Sequence, residues 1–199
     1  MKINKSPFRN IPKDKWKKVT NRLVKKHPLD IAEIVEVVLS SWESIFHSKL
    51  GTKGFKIGKR IFPQPQVMGF LLHELIPLEF AARHKTKWKR GGLDDEKDLV
   101  YIPNKKYSVE IKTSSNKAHI FGNRSYAQET AASKKSKSGY YLAVNFEKFT
   151  TDNINPKVTL IRFGWLDHSD WLGQKAASGQ QARLDPFVED SKFLELYRA

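Results

Sequence analysis

Apolar positions recur at helical spacing from residue 28 to 50: Ile31, Ile34, Val35, Val38, Leu39, Trp42, Ile45, Phe46 and Leu50. Pro28 fits before or in the first turn, Asp30 favours the positive end of the helix dipole, and Gly51 is a stop. A second helix is predicted after Pro65 to about His84, with Phe70, Leu71, Leu75, Leu78 and Phe80 inward and Pro77 kinking or splitting it. The period then changes from helical to two. Leu99 to Ile102 is an apolar strand, and Pro103-Asn104-Lys105-Lys106 is a turn. On the next strand Ser108, Glu110 and Lys112 alternate with Val109 and Ile111. Ile120-Phe121 forms a short apolar anchor. A helix opened by Asn123 or Ser125 is expected to carry Tyr126 and Gln128 and to end near Gly139. Tyr140 to Phe146 reads as a buried strand, and Lys157 to Leu166 as another, after a loop through Asn153-Ile154-Asn155-Pro156.

Charge adds partners to this outline. The 199 residues carry 36 basic and 21 acidic side chains, a net charge of +15. A polyanion, most simply nucleic acid, is the expected partner. Residues 1 to 26 hold ten Lys or Arg against Asp14 alone, and are read as a basic arm with a short helix from Lys13 to Lys25. That arm either tracks phosphates or only solubilises the chain. Gly51, Gly54 and Gly58 with Lys53, Lys56, Lys59 and Arg60 make a basic connector without the Gly-Lys-Ser/Thr ending of a nucleotide P-loop. Arg83 to Arg90 is a second basic run, with Trp88 inside it, followed by Gly91-Gly92. Residues 1–62 are expected to form a basic, helical N-terminal region, and 63–199 the core with a C-terminal recognition segment. Cysteine is absent, which excludes disulfides and thiolate metal sites and makes the cytoplasm the default location. No apolar run is long enough to cross a bilayer, and a membrane partner is not expected.

The strand pair around residue 100 carries the candidate chemistry. An acidic-x-Lys triplet occurs at Asp95-Glu96-Lys97, Glu110-Ile111-Lys112 and Asp190-Ser191-Lys192. The middle one lies on a strand-like alternation with Asp98 one hairpin upstream. Such a hairpin can bring Asp98, Glu110 and Lys112 to one edge of a small sheet. There two carboxylates can hold a hard divalent cation, with an ammonium beside it. The plainer alternative is a solvated strand face carrying an ion pair. Farther on, Asp167, His168 and Asp170 offer a second metal site, but this spacing more often serves turns and caps. The Gln-rich stretch from Gln174 to Arg183 suits adenine and guanine edges, or is a polar loop.

These residues resemble the PD-(D/E)xK nucleases, with Asp98 as the first acid and Glu110-Ile111-Lys112 as the ExK half. Lys97 stands where the family usually has Pro. The element order from residue 65 agrees with that core, a helix, three strands, a helix and a strand. The stretches I-F-G-N-R-S-Y-A-Q and G-W-L-D-H-S-D-W-L-G-Q-K-A-A-S-G-Q-Q resemble the ScaI-like group of type II restriction endonucleases, over about residues 65 to 185. The resemblance implies an α/β (α+β) fold with a central mixed sheet flanked by helices. It implies Mg2+ held by Asp98, Glu110 and the Ile111 carbonyl, with Glu74, or second Glu79, contributed by the preceding helix. Lys112 would orient water or stabilise charge on the phosphate, and cleavage would leave 5′-phosphate ends. A homodimer on a palindromic duplex is expected, with a methyltransferase protecting the same site. Base readout is assigned by donor and acceptor type to Ser114, Asn116, His119, Asn123, Arg124, Gln128, Gln174, Lys175, Gln180, Gln181 and Arg183. Two other readings stay open: a structure-selective resolvase or repair nuclease with the same site, and a non-catalytic basic DNA-binding protein.

Overall fold

A computed structural model describes residues 6–93, 95–127, 136–174 and 179–199. Helix α1 spans Trp16–Lys25, α2 Ile31–His47 and α3 Pro65–Arg83. Asp30 caps α2 by accepting the Glu33 N–H at 3.0 Å, so the helix begins at Ile31 and not at Pro28. It ends at His47, before Leu50, which is exposed and bridges to Phe55.

Helix α3 continues across Pro77, so the expected split does not occur. Its buried stripe is Met68, Leu72, Ile76 and Phe80, a run of fourth residues with Gly69 and Pro77 beside it. Phe70 and Leu78, expected inward, are 62% and 48% exposed. Phe80 is buried as expected and Leu71 and Leu75 pack partly against the core, so contact with the sheet turned out only two of the five.

The strands are β1 Trp88–Arg90, β2 Leu99–Tyr101, β3 Val109–Ser114, β4 Phe121–Asn123, β5 Gly139–Phe146, β6 Val158–Leu166, β7 Trp171–Gly173, β8 Gln181–Leu184 and β9 Phe193–Arg198. A short helix α4, Pro186–Lys192, precedes the last of them. Six form a mixed sheet in the order β1-β2-β3-β5-β6-β9, in which only β3 and β5 are parallel. The other three form a small antiparallel sheet, β4-β8-β7. Strand β1 lies inside the run Arg83 to Arg90 and is anchored by Trp88, 2% exposed. The charges around Trp88 hid that strand from the hydrophobic pattern. The helix expected from residue 123 or 125 is a 3-10 turn over Arg124–Ala127, and its remainder falls on 128–135, outside the described residues.

The large sheet is covered on both faces. Val109 and Ile111 of β3 join Tyr140, Leu142 and Val144 of β5 against the helices. Tyr141 and Ala143 face the opposite way, toward Ile120, Tyr126, Trp171, Ala182 and Leu184 of the small-sheet layer. Phe8, Val19, Val24, Ile34 and Ile57 belong to the same apolar core as Ile111. The region before residue 63 therefore contributes side chains to the core. Apolar residues spaced among its lysines supply the area whose burial drives this docking. Gly164 is required where β6 meets the end of α4, since a Cβ there would lie 2.0 Å from the Lys192 carbonyl oxygen.

Candidate active site

β3 places Glu110 and Lys112 on the face that pairs in register with Tyr141 and Ala143 of β5. That face is buried beneath the small-sheet layer, so the solvated polar face weighed above is not what forms. Glu110 is 2% exposed. Antiparallel pairing of β2 with β3 is registered at Leu99–Val109. Asp98, just before β2, therefore lies across from Glu110, and its Oδ2 accepts the Ile111 N–H at 2.7 Å. The hairpin brings Asp98, Glu110 and Lys112 together as the alternation predicted.

Around Glu110 the contacts are dense. Lys112 Nζ donates to Glu110 Oε1 at 3.1 Å and to the Tyr126 hydroxyl at 2.8 Å. The Tyr126 hydroxyl donates to the same Oε1. Lys97 Nζ lies 3.9 Å from Glu110 Oε2 and 5.1 Å from the Tyr141 ring centroid. Burial first, and then the Glu110 charge, push the Tyr126 hydroxyl far above its ordinary value, which keeps it a proton donor at neutral pH. Burial likewise raises Tyr141. Asp98 has a second neighbour in His73 of α3, whose Nδ1 is 3.8 Å from Asp98 Oδ2.

Glu74, the acid expected from α3, is turned to Arg90 of β1. Arg90 Nη2 lies 2.8 Å from Oε1 and 2.7 Å from Oε2. From α3 it is His73 that lies beside Asp98. A cleft of about 610 Å³ opens beside these residues, lined by Gly69, His73, Glu74, Thr113, Ser114 and Gln181 among others. Gly69 lets α3 approach β3 here, because a Cβ would lie 2.7 Å from Thr113 Oγ1.

The expected base readers divide into two groups. Asn123, Gln174, Gln181 and Arg183 are exposed on the small sheet or beside it. Register places Asn123 opposite Gln181 and Arg183 between Phe121 and Leu172. Gln174 exchanges contacts with Gln181, accepting its N–H at 3.3 Å. Gln180 is exposed next to them, and its carbonyl accepts the Arg124 N–H at 2.8 Å. Arg124 Nη1 donates to the Gly179 carbonyl at 3.3 Å. The second group is bonded within the fold, although Asn116 and His119 remain exposed. Ser114 Oγ accepts the Asn116 N–H, and Asn116 Oδ1 accepts the Ala118 and His119 N–H groups. His119 Nδ1 lies 2.5 Å from Glu189 Oε2. Gln128 and Lys175 lie outside the described residues.

Asp167 and Asp170 meet Lys192. Its Nζ is 2.9 Å from Asp167 Oδ2, and 2.8 and 2.7 Å from the two Asp170 oxygens. Asp167 and Asp170 also form a reciprocal capping box around His168–Asp170. Turn and cap chemistry is what these residues do, with an ammonium where the second metal site was considered. Among the described residues, no group of three His, Asp or Glu side chains is clustered to hold a metal ion.

Sequence reasoning missed His73, Lys97 and Tyr126 as neighbours of the acids. Tyr126 lay in a stretch that was singled out, yet no periodicity relates it to Glu110.

A mixed sheet flanked by helices, with two acids and a lysine at the β2–β3 hairpin, defines a restriction-endonuclease-like core. The comparisons make this specific. The family model described as ScaI restriction endonuclease matches residues 6–197. The chain is 48% identical to "Type II restriction enzyme ScaI" of Streptomyces caespitosus, over 98% of this chain and 86% of that relative. The chain belongs to the ScaI family of type II restriction endonucleases. The match covers the first 60 residues too, which had contributed nothing to the resemblance. No solved structure matches. Family membership favours the restriction reading over a resolvase or a binding module.

Proposed function

We propose that the protein is a Mg2+-dependent endonuclease that cuts both strands of a palindromic DNA site as a homodimer. One observation carries the reading. Asp98 and Glu110 sit across one hairpin, with Lys112 bonded to Glu110, beside a cleft whose lining includes His73, Thr113, Ser114 and, from the small sheet, Gln181. The donor set suits a small hard cation, because two carboxylates and the Ile111 carbonyl supply only oxygen. A Mg2+ ion held by these groups would supply acidification of a bound water and polarisation of the phosphoryl oxygen.

The chain's own groups do the rest. The Ile111 N–H fixes the Asp98 carboxylate, and Lys112 presents an ammonium where charge grows on the phosphate. In-line attack leaves a 5′-phosphate and a 3′-hydroxyl. Asn123, Gln174, Gln181 and Arg183 are the first choice for base contacts, being exposed together, with Gln180 and Arg124 beside them. Ser114 lines the cleft, and Asn116 and His119 shape the loop after it. One site per chain and two cuts per duplex call for a two-fold pair of chains. The cell would protect its own DNA with a methyltransferase of the same specificity, and the enzyme would act in the cytoplasm. Among the described residues no helix is long and apolar enough to cross a membrane.

The test is a plasmid digest. Wild-type protein with Mg2+ should give discrete fragments, and EDTA, Glu110→Ala or Lys112→Ala should each abolish them. DNA binding without cutting by the wild type in Mg2+ would refute the assignment.

A further inference from the structure

We infer that Tyr126 is a positioning residue, which ties the small sheet to the reaction centre through its hydroxyl. This rests on the reading of Glu110 and Lys112 given above. Tyr126 sits in the 3-10 turn directly after β4, and its ring is fixed by the small sheet. It meets Trp171, the first residue of β7, edge-on at 5.1 Å between centroids. It also lies so close to β4 that a Cβ on Gly122 would be 3.0 Å from its Cγ. The backbone of the next-but-one residue before it, Arg124, is bonded to Gln180 ahead of β8. The ring thus moves with β4, β7 and β8 as one unit.

From that unit the hydroxyl reaches the large sheet. It donates to Glu110 Oε1 and accepts from Lys112 Nζ at 2.8 Å. The ammonium also lies 4.4 Å from the ring centroid. Lys112 is a long, flexible side chain, and Glu110 offers it one partner on its own strand. Tyr126 supplies the second, from a different layer, and two anchors fix the direction of Nζ where one does not. The same small sheet exposes Asn123, Gln181 and Arg183. Tyr126 therefore sets Glu110 and Lys112 relative to the surface proposed to meet the bases, without itself touching the substrate.

Two variants test this. Tyr126→Phe keeps the ring and removes the hydroxyl. Gly122→Ala keeps the hydroxyl and presses on the ring. Each is compared with wild type for plasmid cleavage, and for acylation of Lys112 in metal-free protein, read by peptide mass spectrometry against the other lysines. We expect kcat to fall roughly 10- to 100-fold in Tyr126→Phe, with KM unchanged. Lys112 labelling should rise several-fold while labelling of exposed lysines stays constant, and Gly122→Ala should shift both readouts the same way. Unchanged kcat and unchanged Lys112 labelling would overturn the inference. So would a raised KM at constant kcat, which would make the hydroxyl a DNA contact. Failure of the wild type to cut would instead refute the nuclease assignment, and the labelling result would still decide whether Tyr126 holds Lys112.

Discussion

Two clusters in this protein are built from the same parts, two carboxylates and a lysine, and differ in what their surroundings do with them. In one, Lys192 is 2% exposed, and its ammonium reaches three carboxylate oxygens of Asp167 and Asp170. An ammonium has three N–H donors, so its capacity is used up. The rings of Phe8 and Trp16 lie 4.3 and 4.5 Å from it, and Ser6 Oγ adds a bond to Asp167. In the other, the acids come from two strands, Asp98 has a side chain 23% exposed, and His73 beside it is 31% exposed at the cleft. The first cluster is closed by the N-terminal segment and joins that segment to α4. The second also holds a buried acid, Glu110 at 2% exposure, but its other acid Asp98 is partly open beside His73, which lines the cleft. Matching residue types do not separate a structural cluster from a reactive one. What differs between these two is how far carboxylates saturate the ammonium and how open one of the acids is.

Burial still pushes Asp170 above the usual carboxylate range, even beside Lys192, because loss of hydration outweighs the attraction. The closed cluster thus fixes how segments meet more than it adds net stability. Its removal is costly for a different reason: two carboxylates would be left buried without their cation.

The sharpest test exchanges the two lysines. Lys112→Ala should lower the cleavage rate by about 10³-fold and lower the thermal midpoint less than Lys192→Ala does, because Lys97 and Tyr126 still face Glu110. Lys192→Ala should do the reverse. It should cost about 3 kcal/mol of stability, roughly a 10 °C fall in Tm for a chain this size, with the rate per folded molecule retained at low temperature. If Lys192→Ala lost activity while keeping its stability, the contrast would collapse.

Acid adds a smaller effect that belongs to neither cluster. His27 is packed between Tyr140 and Phe163, and burial lowers it from 6.5 to about 4. The unfolded chain therefore takes up a proton more readily than the fold. Stability is full above about pH 6.5 and falls as the pH drops toward 4, by about 2 kcal/mol at pH 5. Urea midpoints measured from pH 7 to pH 5 should show this slope, and His27→Gln should flatten it. An equal slope in the variant would assign the loss elsewhere.

The mildest change concerns Glu74. Because Arg90 holds it by both oxygens, Glu74→Gln should reduce cleavage less than about 10-fold. A loss as large as that of Glu110→Ala would bring Glu74 into the site and require Arg90 to release it.

How far the site could be read beforehand follows from how far apart its members lie in the chain. Glu110 and Lys112 are two residues apart on one strand, and Asp98 is one hairpin away, so local alternation and a turn placed all three. His73 comes from α3 and Tyr126 from the 3-10 turn after β4, and no spacing links them to Glu110. Lys97 was noticed only as a missing proline. The Asp190-Ser191-Lys192 triplet makes the converse point. It looks like the reactive one, yet its lysine pairs with Asp167 and Asp170, more than twenty residues upstream.

By itself the sequence determined what depends on neighbours along the chain. It set the long helices, the strands from Leu99, Val109, Gly139 and Val158, and the acidic hairpin, because side-chain period and turn residues act locally. The tertiary structure decided which α3 side chains are turned out, that the basic first segment joins the core, and which lysine is saturated by carboxylates and which shares one with a tyrosine. Those outcomes depend on strand order and on the covering of each sheet face. Both are set by packing between residues distant in sequence, which no local pattern records.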